Sequence, residues 1–269
     1  MIEHLLQPLV CDRFRNDARY REGHLRVVNA LPGRKVLGLH VPEMKALAKL
    51  LSKNGAEVNM PCGKHPCGSG KEIISCFRNV PPESLCYEET VIWGLLINLE
   101  KCSAEERFAM LSLYVPVMDN WAVCDSYCSD AKWMRHIDKE QLWNFLLPWF
   151  SSSREFEVRF AVVASMCCFL CEDWLEKVFA MLEKIDFTAI GSEYRTIKGK
   201  PEQAQEGTVQ GTSPYYVRMG VAWLLATALA KNPQRTRDFV NKKSLPADVM
   251  KLYLRKVRES FRTRNVSPF

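Results

Sequence analysis

Apolar residues recur every three or four positions along most of the chain, which predicts amphipathic helices. The clearest such stretch is residues 85–101. Two serine–glutamate pairs also have the spacing of a helix-initiating capping box, Ser103 with Glu106 and Ser152 with Glu155. Further helices are predicted to begin just after Asp138, at Glu172 and just after Pro214.

The order and length of these helices predict the fold class. Each predicted helix has about ten to eighteen residues and follows its predecessor after a short break, as in stacked helical pairs. Strand signals are scarce. The sequence therefore predicts an all-α fold over a single domain, residues 1–269, arranged as a curved solenoid of HEAT-like repeats. The repeat periodicity is weak, so an irregular helical bundle stays open as the alternative.

Two segments depart from the helical pattern. Residues 54–70 are rich in Gly, Pro and Asn, and residues 191–213 are polar with little apolar periodicity. Both are predicted to be loops, and the second is predicted to be mobile. Helices of similar character flank each segment, so neither is predicted to be a domain linker.

Composition places the chain among ordinary globular proteins, with 47% hydrophobic and 25% charged residues. The sequence contains no run of about 18 consecutive apolar residues, so no membrane span is expected. The first residues also lack the charged-then-apolar pattern of a secretory signal, so a cytoplasmic location is expected.

Eleven cysteines are present, and most fall where a helix would bury them as reduced thiols. The loop cysteines Cys62 and Cys67, with His65, are candidate zinc ligands, and Cys76 and Cys86 follow downstream. Zinc sites usually combine two short ligand pairs, and the second pair is missing here. We therefore expect neither a metal nor another cofactor.

Charge is unevenly distributed along the chain. The net charge is +6, but the segment from Lys231 to the end contains eleven Lys or Arg and three acids, a net charge of +8. The remainder therefore has a net charge of −2. A concentrated basic segment is typical of a phosphate-binding surface, and a solvated helix face is the alternative.

Several residues could carry chemistry, although none is decisive alone. Trp121 and Asp125 are four residues apart and so share one helix face. The simple alternative is a core tryptophan beside a surface carboxylate. Arg159 lies among apolar residues, where an arginine pairs with a carboxylate or holds a phosphate. Trp223 lies in a strongly apolar helix, where core packing is the simple interpretation.

Taken in order, six segments resemble the AlkD-like DNA alkylation-repair family. The first is VLGLHVPEMKALAK (residues 36–49), which resembles an opening glycine-x-x-x-proline signature followed by a basic helix. YEETVIWGLLI, NWAVCD, FEVRFAVV, YYVRMGVAW and LRKVRESFRTR then follow. The resemblance covers about residues 20–265, and the ordered set is more specific than any single segment.

This resemblance implies a stack of HEAT-like helical pairs whose basic concave face holds double-stranded DNA. It also implies a DNA glycosylase that removes cationic purines alkylated at N3 or N7 and leaves an abasic site, without flipping the base. Asp125 would stabilise the cationic sugar and position water, while Trp121 and Trp223 would form aromatic walls.

The resemblance further implies DNA contacts by Arg159, Lys45 and Arg218. The partner would be damaged double-stranded DNA, and the chain is expected to be a monomer. One departure concerns a tyrosine that the family's best-known enzymes place just before the glycine signature. Asn29 and Ala30 occupy that region here.

Three functions remain open at this stage. The first is a monofunctional glycosylase, which requires the implied residues to converge on one surface. The second is a non-catalytic DNA-binding relative that recognises distorted or branched DNA. The third is a helical scaffold for a protein partner, whose basic segment is only solvated.

Overall fold

The computed structural model describes residues 1–197, 200–203 and 214–269. Within these residues the chain forms fourteen α-helices, four short 3-10 helices and four β-strands. The all-α prediction is therefore confirmed, and the HEAT-like solenoid stays a prediction. Contacts between Cα atoms divide the chain into two compact units, Met1–Trp133 and Met134–Phe269.

The first unit contains eight α-helices, of which the first two are the shortest. They are α1 (Glu3–Leu6), α2 (Asp12–Asn16), α3 (Ala18–Val28), α4 (Val41–Asn54), α5 (Gly70–Arg78), α6 (Tyr87–Leu99), α7 (Ala104–Tyr114) and α8 (Trp121–Asp130). Its 3-10 helices are Gln7–Leu9, Pro82–Ser84 and Val115–Val117, and a fourth, Lys132–Arg135, spans the boundary with the second unit.

Helix α6 lies at the centre of the first unit. It is buried from Tyr87 to Ile97 and contacts α4, α5, α7 and α8. A helix that is buried on every side must be surrounded by other elements, so α6 forms the core against which its neighbours pack. Its last carbonyls, at Ile97 and Glu100, accept hydrogen bonds from the buried guanidinium of Arg107.

A buried carboxylate on α6 fixes the segment that precedes α4. Glu88 accepts hydrogen bonds from the backbone N–H groups of Leu37, Gly38 and Leu39, with N···O distances between 2.8 and 3.3 Å. Gly38 has φ +94°, and a Cβ there would overlap the ring of Phe14. The glycine of the signature is thus required by both backbone conformation and packing.

The predicted loop 54–70 contains a β-hairpin. Strands β1 (Ala56–Met60) and β2 (Gly63–Cys67) pair antiparallel, with Val58 opposite His65. Val58 is buried, and the hairpin packs on α5. The loop prediction for this segment is therefore wrong: one buried valine and the contacts with α5 stabilise strands too short and polar to be recognised by alternation.

The second unit contains six α-helices and a second hairpin. The helices are α9 (Lys139–Phe150), α10 (Glu155–Cys168), α11 (Leu175–Glu183), α12 (Tyr215–Lys231), α13 (Pro233–Asn241) and α14 (Ala247–Glu259). Strands β3 (Tyr194–Ile197) and β4 (Lys200–Gln203) pair antiparallel. The loop predicted at 191–213 thus contains strands, while its residues 198–199 and 204–213 lie outside the described part of the chain.

Helices α10 and α12 form the centre of the second unit, since both are buried along most of their length and contact each other. Glu155 joins them: its buried carboxylate accepts hydrogen bonds from the Tyr216 backbone N–H at 2.6 Å and from the Ser192 hydroxyl. Burial raises the pKa of Glu155. The capping box predicted for Ser152 and Glu155 is wrong, because α10 begins at Glu155 itself.

The box predicted for Ser103 and Glu106 is confirmed, because each side chain accepts the other residue's backbone N–H. Asp138 likewise caps α9 by accepting from the Gln141 N–H at 2.8 Å. Across the described ranges, none of the helices is both long and apolar enough to cross a lipid bilayer.

Candidate functional site

Trp121 is the first residue of α8 and is held against the end of α3. Its indole Nε1–H donates to the Val27 carbonyl at 3.1 Å. Next to it, the buried amide of Asn120 donates to the Val28 carbonyl at 2.6 Å, and its Oδ1 accepts from the Ala122 N–H. The capping residue of α8 therefore also fixes α3 beside the indole.

A cavity of about 420 Å³ opens beside Trp121. Its walls come from α3, from the segment that is hydrogen-bonded to Glu88 and from the starts of α6 and α8. They include Tyr20, His24, Leu39, His40, Tyr87 and Trp121. The volume lies within the usual range of small-ligand sites, and most of the lining is aromatic or aliphatic.

The side chains of Tyr20, His40 and His24 contact one another in the lining of this cavity. The Tyr20 hydroxyl lies 2.7 Å from His40 Nε2, and the His40 and His24 rings meet edge to face with centroids 5.3 Å apart. Burial, and then the neighbouring His40, lowers the pKa of His24. His24 is therefore neutral at pH 7, and its Nε2 is buried with no hydrogen-bond partner among the described residues.

Tyr20 also has a cationic neighbour, since the Arg13 guanidinium lies 4.5 Å from the centre of its ring. Tyr20 supplies an aromatic wall beside Trp121, although it lies nine residues before Asn29, where the resemblance led us to look. Sequence reasoning missed Tyr20, His24 and His40. The spacing of Tyr20, Gly23, His24 and Val27 on one face of α3 is a signal that could have found the first two.

Asp125 lies one turn after Trp121 on α8 and is half-buried. The prediction that the two residues share a helix is confirmed. Asp125 is outside the lining of the cavity. Its assigned role, stabilising a cationic sugar and positioning water, stays a prediction.

Lys45 lies on α4, and its ammonium is 2.7 Å from Asp130 Oδ1. The two residues border a small cavity of about 180 Å³ together with Lys49 and Lys132, which are exposed. Lys45 is thus partly neutralised by its own chain, while the two exposed lysines beside it add positive charge to this part of the first unit.

Arg159 and Arg218 are buried in the second unit. The Arg159 guanidinium donates to the Tyr216 carbonyl and lies 5.9 Å from the centre of the Tyr216 ring. Arg218 forms an ion pair with Asp248 at 2.6 Å and donates to the Pro214 carbonyl at 3.2 Å. They are 3% and 7% exposed. Both arginines therefore make intramolecular contacts that stabilise the second unit, and a phosphate would have to displace these partners.

Trp223, on α12, borders a cavity of about 550 Å³ in the second unit. The opposite wall is formed by the basic end of the chain, including Lys256 and Arg262. Lys256 pairs with Glu259 at 3.2 Å. The tryptophan and part of the predicted basic segment therefore lie together around one opening.

The implied residues are divided between the two units. The first contains Lys45, Trp121 and Asp125, and the second contains Arg159, Arg218 and Trp223. Their convergence on one surface stays a prediction. Comparison of the chain with protein-family models, with curated proteins and with solved structures finds no match.

Proposed function

We propose that the chain is a DNA glycosylase that hydrolyses the N-glycosidic bond of cationic N3- or N7-alkylated purines in double-stranded DNA. The supporting observation is the aromatic cavity beside Trp121, with Asp125 one turn away on the same helix. The proposal takes duplex DNA as the partner of a monomeric, cytoplasmic chain and requires no metal or cofactor.

The chemistry suits these residue types. An alkylated purine is already cationic, so its glycosidic bond is weak and no general acid is needed. Its departure leaves an oxocarbenium-like sugar, which is also cationic. An indole face attracts such a cation by about 0.5–2 kcal/mol. Tyr20 adds a second aromatic face, and a carboxylate at Asp125 would stabilise the charge and orient water.

Phosphate binding would fall to the basic end of the chain. Six exposed cations of this segment have no ion pair within the described ranges: Lys242, Lys243, Lys251, Arg258, Arg262 and Arg264. Phosphate contacts release counterions, so log K should fall with log salt concentration with a slope of about 0.9 for each phosphate neutralised. A protein scaffold with a solvated basic segment would bind DNA weakly and with little salt dependence.

The decisive experiment is single-turnover release of base from duplex DNA that contains N7-methylguanine. Asp125→Asn is expected to lower the rate by at least about 100-fold, the usual effect of removing a preorganised charge-stabilising group, with little change in DNA affinity. Asp130→Asn is the matched control, since it makes the same chemical change on the same helix. Because it also removes the ion pair of Lys45, its rate is compared at saturating protein, where it should equal that of the parent. Undiminished release by Asp125→Asn would contradict the catalytic assignment.

The second candidate function is non-catalytic binding of distorted or branched DNA. It is favoured by the Trp223 cavity, which is lined by Lys256, Glu259 and Arg262 from the basic end of the chain and does not depend on Asp125. In that case neither the parent protein nor its variants would release alkylated purines. Affinity would instead be salt-sensitive and higher for branched than for intact duplex of equal length.

A further inference from the structure

The first hairpin and α5 bring together three side chains that are typical metal ligands. His65 and Cys67 are two residues apart on β2 and therefore point to the same face of the strand. Cys76 lies on α5, which packs on this hairpin. One ligand atom from each residue lies within 4.8 Å of the other two.

The sulfur geometry fits a shared metal ion. Cys67 Sγ and Cys76 Sγ are 3.6 Å apart, and both cysteines are free. Two thiolates, each about 2.3 Å from a tetrahedral zinc ion, lie about 3.8 Å from each other. A disulfide requires about 2.05 Å between the sulfurs, so the two thiols are not bonded to each other; they are in hydrogen-bond contact, at a separation that a shared zinc ion would also require.

We propose that His65, Cys67 and Cys76 bind a Zn²⁺ ion that joins the hairpin to α5. Two thiolates and an imidazole form a ligand set that selects zinc over the hard cations Mg²⁺ and Ca²⁺. On binding, the ion displaces the protons of both thiols into solvent. This proposal is independent of the proposed function, because none of the three residues lines the Trp121 cavity.

The burial of the three ligands indicates where the ion would lie and how it would stabilise the hairpin. Cys67 and Cys76 are 4% and 7% exposed, whereas His65 is exposed. The ion would therefore sit at the surface with its sulfur ligands on the protein side, and water would complete the tetrahedron. Because the hairpin has only one buried valine, a cross-link to α5 would contribute directly to its stability.

The sequence contained all three residues among its candidates, together with Cys62 and Cys86, but a second short ligand pair is missing and no metal was expected. In the structure Cys62 lies in the hairpin turn, is exposed and is not a member of the group. Its place is taken by Cys76, which is nine residues beyond Cys67 and reaches it only because the hairpin packs on α5.

The test uses the untagged full-length chain, reduced and stripped of metal, and Co²⁺ as a spectroscopic substitute for Zn²⁺. We expect one Co²⁺ per chain with the near-ultraviolet charge-transfer absorption of thiolate ligands, and complete displacement by Zn²⁺. His65→Gln, an exposed position where folding is not at risk, should weaken Co²⁺ binding by more than about 100-fold, since even losing a group that only supports a ligand costs 10–100-fold.

Cys62→Ser is the matched control and should bind Co²⁺ as the parent does. Cys67→Ser, if folded, should lose about half of the thiolate absorption per bound ion. The proposal is overturned if the parent chain shows no thiolate–cobalt absorption, or if Cys62→Ser weakens binding as much as His65→Gln. A Cys67–Cys76 disulfide in protein isolated without reductant, together with no Co²⁺ binding after reduction, would also overturn it.

Discussion

Replacing Gly38 with alanine tests the segment that forms one wall of the Trp121 cavity. The substitution carries two separate costs. Alanine at a positive φ is strained by about 1–2 kcal/mol. The new methyl group also meets the ring of Phe14, and such overpacking costs about 1–3 kcal/mol.

A partial gain offsets these costs, because alanine restricts the unfolded chain and so stabilises the protein by about 0.4–1 kcal/mol. The expected net loss in the free energy of unfolding for Gly38→Ala is therefore about 2–4 kcal/mol. Gly33→Ala is the matched control. Gly33 also has a positive φ, +78°, but its Cβ would meet nothing within 4 Å. Its expected loss is about 0.5–1.5 kcal/mol.

Urea unfolding followed by far-ultraviolet circular dichroism measures both variants under the same conditions. The difference between the two losses isolates the contact with Phe14. Equal losses, within about 0.5 kcal/mol, would refute the packing argument. No loss in Gly33→Ala would refute the conformational one.

Three further outcomes are expected. Arg107→Ala, which leaves the Ile97 carbonyl unpaired at the end of α6, should lower the free energy of unfolding by about 2–4 kcal/mol in urea titrations. Arg159→Lys should lower the free energy of unfolding by about 1–3 kcal/mol, because lysine cannot reproduce the guanidinium contact with Tyr216. It should change DNA affinity by less than about threefold in a fluorescence titration, and a larger loss would support Arg159 as a phosphate ligand. Burial raises the pKa of Glu155, so the native state binds a proton at this carboxyl group more readily than the unfolded state does. Ionisation of Glu155 therefore destabilises the native state, and this loss is reversed as the pH falls through the raised pKa toward 4.5. The gain in unfolding free energy between pH 7 and pH 5 should accordingly be smaller in Glu155→Gln than in the parent.

Local signals predicted the helices well. The strongly apolar stretch 85–101 became α6, and Ser103 and Asp138 cap the helices that they were expected to start. These features depend on residues three or four positions apart, which a sequence displays directly. The start predicted at Glu172 was less accurate, since α11 begins at Leu175.

Features that depend on distant residues were not accessible in this way. Glu155 has the spacing of a capping residue, but its carboxylate is engaged by Tyr216, 61 positions away. Arg159 was correctly found among apolar residues, yet only the structure shows that a backbone carbonyl of its own chain is its partner. Sequence patterns indicate that such a group needs a partner, and the tertiary fold decides which partner it has.

The candidate site shows the same division. The spacing of Trp121 and Asp125 correctly predicted that they share a helix, which is a local property, whereas their assigned roles came from the resemblance and stay predictions. Tyr20 was missed because it reaches Trp121 only when α3 packs against the start of α8.

The three backbone bonds to Glu88 have a consequence for how the protein is made. They join residues 49 to 51 positions apart along the chain. Closing a loop of that length costs about 3–4 kcal/mol of chain entropy, which α6 must offset by docking. A ribosome adding about 5–20 residues per second needs several seconds to extend the nascent chain from Leu39 to Glu88. During that interval the backbone N–H groups of Leu37, Gly38 and Leu39 lack their carboxylate partner, so this wall of the Trp121 cavity is completed only after the start of α6 has been synthesised.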